Sequence, residues 1–223
     1  MLKEKYKYSP IDRVTVNGNR HYQTPTGSPL PSVTTVLSSL ADKTAIYEWR
    51  KRVGNEEANR ITNLATGIGT QVHLHLEKHI LAEDRPNGSN LIHQMARELS
   101  EIVIEQGLSN VDEVWGTEVP LYYPGLYAGT ADCIGVWKGR PAMIDFKTTR
   151  KPKKREWIDD YFIQMTAYAD AHNELYGTNI KKGVIFMCSK DFEYQEFIVE
   201  GKEFDKYHQL WLKKLEEYYT KYI

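Results

Sequence analysis

The sequence predicts an α/β fold: a central mixed β-sheet flanked by helices, preceded by a helical N-terminal half. Three observations carry this. Helical periodicity dominates to about residue 110; from Val111 the chain switches to alternating runs rich in β-branched and aromatic residues; and one long helical segment then separates three such runs from two more.

Element by element, residues 13–23 (RVTVNGNRHYQ) alternate around Asn17-Gly18, a pair suited to a type I′ turn, which predicts an N-terminal hairpin. Asp42 is placed to cap a helix through TAIYEWRKRV that Gly54 interrupts. A second helix is expected over 56–65 and, after a break at Gly67–Gly69, a third over 70–81. Asn90 caps a fourth, whose Ile92, Met95, Leu99, Ile102 and Val103 form one stripe before Gly107. VWGTEVPLYY, LYAGTADCIGVW and AMIDFKTT read as an antiparallel meander, its last two strands joined by the turn Lys138-Gly139-Arg140-Pro141. A helix over 157–176, the strands GVIFMC and EYQEFIV, and an amphipathic helix from Lys202 complete the order α, β, β, β, α, β, β, α.

The 223 residues suit one core rather than two, so a single domain is expected: 1–110 as hairpin plus helical part, 111–200 as the sheet and its helix, 201–223 as the closing helix. The 29 basic and 30 acidic side chains nearly cancel, so affinity for a polyanion must come from local patches. Cys133 and Cys188 form no CxxC pair, which excludes a zinc ribbon or a four-thiolate iron–sulfur cluster and suggests reduced core thiols. No run reaches the roughly 18 apolar residues of a membrane span. The start, MLKEKYKYSPIDR, resembles neither a signal nor a transit peptide, so a cytoplasmic protein is expected, in the host cytoplasm if it is encoded by a phage.

Asp145 and Lys147 lie two apart on one expected strand, so both project from one face, about 6.6 Å apart along the axis. Asp132 ends Gly129-Thr130-Ala131-Asp132 on the preceding strand, about 4.8 Å away across a ladder. Two carboxylates about 4 Å apart repel by about 4 kcal/mol at an effective dielectric near 20, which calls for a proton or a cation between them. Oxygen ligands from Asp132, Asp145 and the Phe146 carbonyl suit Mg²⁺ or Mn²⁺, with no nucleotide cofactor needed. Lys147 would then favour an attacking water or the excess negative charge of a phosphorane-like transition state.

Taken together, Gly69-x3-His73, Glu118, Gly129-x2-Asp132, Ile144-Asp145-Phe146-Lys147-Thr148 and Gln164-x3-Tyr168 resemble, in that order, the RecB-like branch of the PD-(D/E)xK nuclease superfamily. PSVTTVLS at 31–38, EWRKRVGNEEAN at 48–59 and GIGTQVHLHLE at 67–77 are similar to the mitochondrial genome maintenance exonucleases and their phage-encoded relatives. The resemblance implies a restriction-endonuclease-like core and a metal-dependent deoxyribonuclease acting on single-stranded ends. It also implies His73, Asp132 and Asp145 as metal ligands with Glu118 near them, a catalytic Lys147, and Gln164 and Tyr168 at the rim. DNA is the expected partner, alongside replication or recombination proteins.

For DNA contact, the basic run Arg150, Lys151, Lys153, Lys154 and Arg155 follows the catalytic strand, next to Thr148. Arg50, Lys51 and Arg52 follow Trp49, whose indole offers a stacking face, and Ser32, Thr34 and Thr35 supply hydroxyls. His75 and His79 stand one turn apart, but Glu77 lies about 200° around the helix from His75, which is the wrong register for a zincin. The alternatives are a structure-specific endonuclease and a non-catalytic module that grips DNA ends on the same fold.

Overall fold

A computed structural model of the chain describes residues 2–222. Strands β1 (Asp12–Val16), β2 (Asn19–Gln23) and β3 (Leu30–Pro31) form a small antiparallel sheet around the Asn17-Gly18 turn, one strand larger than the expected hairpin. Helix α1 (Val33–Leu40) starts at Ser32, whose side chain accepts the Thr35 N–H at 2.9 Å, and buries Val33, Val36 and Leu37. Helix α2 (Thr44–Val53) buries no residue at all. Asp42 accepts the Thr44 N–H at 2.8 Å, as a capping side chain does, although the capping position itself falls on Lys43.

Helix α3 (Asn55–Ile80) corrects the sequence reading, because it runs unbroken through Gly67 and Gly69. Each mid-helix glycine costs up to about 1 kcal/mol against alanine. Burial of Ile68, Val72, Leu76 and Ile80 along one stripe offsets that cost. Helix α4 (Leu91–Gln106) is capped by Asn90, as its sequence predicts, and buries Leu99 and Val103 against α3.

The main sheet runs β4 (Val111–Tyr123), β5 (Tyr127–Trp137), β6 (Arg140–Thr149), β7 (Lys182–Ser189) and β8 (Tyr194–Glu200) in spatial order. All neighbours are antiparallel except β6 and β7, which pair in parallel across helix α5 (Asp159–Tyr176), giving the expected mixed sheet. β7 is buried along its whole length, as a strand covered on both faces must be. Helices α1, α5 and the closing α6 (Gly201–Tyr222) pack on one face with Met143, Met165 and Trp211. Helices α3 and α4 cover the other face with Ile144, Phe146 and Phe186. Both cysteines are buried and unbridged. Among the described residues no helix is long and apolar enough to cross a membrane.

A neutral polar chain ties the N-terminal segment to the end of α5. The Thr178 hydroxyl donates to Asn173 Oδ1 (2.7 Å), so its oxygen accepts from His172 Nδ1 (2.8 Å), leaving His172 Nε2 to accept the Tyr8 hydroxyl proton (3.1 Å). Burial pushes the His172 pKa down to about 4. Because the unfolded chain takes up this proton near pH 6.5 and the folded one does not, stability is lost as pH falls from about 6.5 towards 4. A loss of roughly 2 kcal/mol is expected from this residue. Urea midpoints at pH 7 and pH 4.5 test it: His172→Gln should show a shallower pH dependence, and an unchanged one would remove His172 as the cause.

Candidate metal-dependent active site

The site forms where the main sheet splits. The β5–β6 ladder runs from Trp137↔Arg140 to Cys133↔Ile144, and the next residue, Asp132, continues it with its side chain, Oδ2 accepting the Phe146 N–H at 2.9 Å. On the other side of β5, the β4 ladder pairs Thr117 with Cys133 and Val119 with Ala131, skipping Glu118 and Asp132 between them. Glu118 there adopts φ +49°, a left-handed conformation strained for a residue with a Cβ. The two acids thus face each other across a gap in the backbone hydrogen bonding.

Into this gap α3 extends His73. Its Nε2 donates to the Phe146 carbonyl at 3.0 Å, while Nδ1 lies 3.5 Å from Glu118 Oε1 and 3.7 Å from Asp132 Oδ1. Holding the proton on Nε2 leaves the Nδ1 lone pair aimed at the carboxylates when the ring is neutral. Burial alone would lower the pKa of His73, but the charge of Asp132 and the hydrogen bond to Glu118 outweigh it and raise it to about 9. The same balance of charges favours a cation between the ring and the two carboxylates.

Ligand atoms of His73, Glu118 and Asp132 lie within 4.8 Å of one another. One imidazole and two carboxylates suit Mn²⁺ and tolerate Mg²⁺, and the spacing matches one ion's coordination sphere. Glu118 therefore stands level with His73 and Asp132. Two expected ligands sit differently. The Phe146 carbonyl accepts the His73 proton, and Asp145, only 3 % exposed, is ion-paired with Lys147, whose Nζ lies 2.7 Å from Oδ1 and 2.6 Å from Oδ2.

Burial raises the Asp145 pKa, and the adjacent ammonium opposes the rise. For Lys147, burial would lower the pKa, but Asp145 and Asp132 reverse the effect, so the amine stays protonated. Its Nζ also lies 4.9 Å from the Tyr161 ring centre. Gln164 Nε2 donates to the Tyr168 hydroxyl at 3.1 Å on the α5 wall. Gly129 makes that wall possible, since a Cβ there would lie 2.6 Å from Tyr168 Cε1.

A cavity of about 560 Å³ joins these groups, lined by His73, Glu118, Asp132, Lys147, Gln164 and Tyr168, and also by Ser32 and Thr34. The other expected contacts divide. The Ser32 hydroxyl donates to Thr35 Oγ1, which donates to the Arg20 carbonyl, so both hydroxyls serve internal bonds. Arg155 bonds Glu203 (2.7 Å) and the Ile198 carbonyl (2.8 Å), which makes it a link to α6 rather than a free phosphate contact. Thr148 is half-buried. Arg150, Lys151 and Lys153 line a shallow cleft with Trp157, which is 61 % exposed and has Lys154 Nζ 5.4 Å from its ring centre. Trp157, expected as the first residue of the long helix, lies ahead of it in a 3₁₀ turn at 155–157, and an indole two residues after a basic run is a signal for base stacking. Trp49 is half-buried on α2, and Arg50 bonds Asn59 (2.9 Å), while Lys51 and Arg52 are exposed. His75 is fully buried and accepts from Arg85 Nε at 3.2 Å, a packing role between α3 and α4.

Set beside known proteins, the chain is 28 % identical over 205 residues to mitochondrial genome maintenance exonuclease 1 of Mus musculus, and 26 % identical over 208 residues to that of Homo sapiens. Each match covers 86 % of this chain. Over that stretch the chain is similar to these exonucleases. It spans about three fifths of their length, 60 % and 59 %. No protein-family model matches it. Among solved structures, a putative exonuclease from Eubacterium rectale aligns with 67 % of this chain and 64 % of its own at TM-score 0.48 and 14 % identity.

Proposed function

We propose that the protein is a divalent-metal-dependent DNA exonuclease that hydrolyses phosphodiester bonds from single-stranded ends. The observation that carries this is the meeting of His73, Glu118 and Asp132 in one cavity with the Lys147 ammonium. The relatives, named as exonucleases, support the same chemistry. A Mg²⁺ or Mn²⁺ ion held by the three side chains would supply Lewis-acid activation of water and of a phosphoryl oxygen.

The chain's own residues supply the rest. The Lys147 ammonium, fixed by Asp145, presents a positive charge to the negative charge that grows on the phosphoryl group during in-line attack. The Phe146 carbonyl and N–H fix the orientations of His73 and Asp132, so neither ligand has to reorganise. Tyr168, backed by Gln164, lines the α5 side of the cavity.

Exposed Trp157 amid lysines, and α2 with its exposed Ile46 and Tyr47 beside Lys51 and Arg52, favour an unpaired strand, whose bases are free to stack. End-labelled linear and closed circular single-stranded DNA, each incubated with Mn²⁺, test the mode of action. Linear strands should shorten while circles persist. Cut circles would favour the endonuclease alternative, and intact linear strands with shifted mobility would favour the binding module.

A further inference from the structure

We infer that the N-terminal hairpin carries a second phosphate-binding subsite, formed by Arg13 and Arg20, that grips the substrate strand beside the hydrolytic centre. In the β1–β2 register Arg13 stands opposite Tyr22, and Arg20 opposite Thr15. Directly opposed residues share a face and alternate residues return to it, so Arg13, Thr15, Arg20 and Tyr22 lie on one side of the hairpin. That side is turned to the site, because Tyr22 is buried with its hydroxyl 3.3 Å from Thr130 Oγ1, two residues from Asp132.

Both arginines line the cavity that also contains His73, Asp132 and Lys147. Neither is paired with a carboxylate among the described residues, although most other cavity-side charges are. As diagonal neighbours across the ladder they hold two guanidinium groups on one face, their Cβ atoms somewhat less than about 7–8 Å apart. Two exposed like charges without a carboxylate partner, lining the same cavity as the acidic triad, are matched by an anion. A phosphate of the strand bound at the triad meets that need, and guanidinium forks suit its oxygens.

The hairpin is also anchored. The Arg20 carbonyl accepts from Ser32 N at 3.0 Å and from Thr35 Oγ1 at 2.9 Å, which locks β2 to the start of α1. The subsite therefore keeps a fixed distance from the metal ligands and can set the register of the strand. A phosphodiester within the strand and a terminal 5′-phosphate share this chemistry.

The substrate assigned to the subsite rests on the nuclease reading, so binding and cutting are measured separately. In EDTA, anisotropy of a labelled single-stranded oligonucleotide gives Kd against salt for wild type, Arg13→Gln/Arg20→Gln and Arg13→Lys/Arg20→Lys. The glutamine variant should bind about 10-fold or more weaker, with a salt slope reduced by about 0.7 for each phosphate no longer neutralised, and the lysine variant should recover part of both. With Mn²⁺ present, the loss should appear in KM rather than kcat. A loss equal on 5′-phosphorylated and 5′-hydroxyl strands assigns the subsite to an internal phosphate, and a loss confined to the former assigns it to the terminal one. Unchanged Kd and salt slope in the glutamine variant would overturn the subsite even if wild type cuts DNA. A wild type that binds through these arginines but does not cut would overturn the hydrolytic reading instead.

Discussion

Lys147→Gln is expected to slow phosphodiester cleavage by about 10²–10³-fold, the usual effect of removing one preorganised charge from a transition state. The size follows from where the ammonium sits. It is held on both oxygens of a buried carboxylate and opens onto the same cavity as the acidic triad. Glutamine retains an N–H donor for Asp145, whereas alanine would leave that carboxylate buried without its partner, at a cost of about 3–5 kcal/mol in stability. Single-turnover cleavage by Lys147→Gln, with thermal unfolding as the control, therefore separates chemistry from folding. Activity within threefold of wild type in a folded variant would remove Lys147 from the reaction.

Asp132→Asn should have a still larger effect, about 10³-fold or more on cleavage, because it takes a charge from the cation site itself. Its amide oxygen can still accept the Phe146 N–H, so the split between β5 and β6 should persist. What changes is one anionic oxygen near His73 Nδ1 and Glu118. Calorimetric titration with Mn²⁺ should show affinity reduced by about 10²-fold, in line with the loss of a charged ligand. Unaltered Mn²⁺ affinity would move the ion away from these three side chains and falsify the site as described.

Much of this was legible beforehand, for identifiable reasons. The Asn90 cap, the stripe through Leu99 and Val103, and the buried run of β7 are local patterns, and the fold keeps them. The one-turn spacing of Gln164 and Tyr168 likewise survives as a hydrogen bond. Continuity of α3 was hidden, because the burial that offsets Gly67 and Gly69 comes from α4 and the sheet, distant in sequence. The allegiance of Asp145 was hidden too. Spacing places it beside Lys147 on one face, but it takes the pair skipped between β4 and β5, together with the end of the β5–β6 ladder, to bring Glu118 and Asp132 together at His73 while Asp145 pairs with Lys147. For the hairpin, the Asn17-Gly18 turn fixed which residues share a side, while nothing local indicated that the arginine side faces the cavity.

The backbone at Glu118 has one more implication. A glycine would relax into that conformation readily, so the chain keeps a carboxylate where its own comfort argues for no side chain at all. Durability and ion capture pull this position in opposite directions. Any search for hardier forms of the molecule that selects on heat resistance alone should drift towards dismantling its acidic wall.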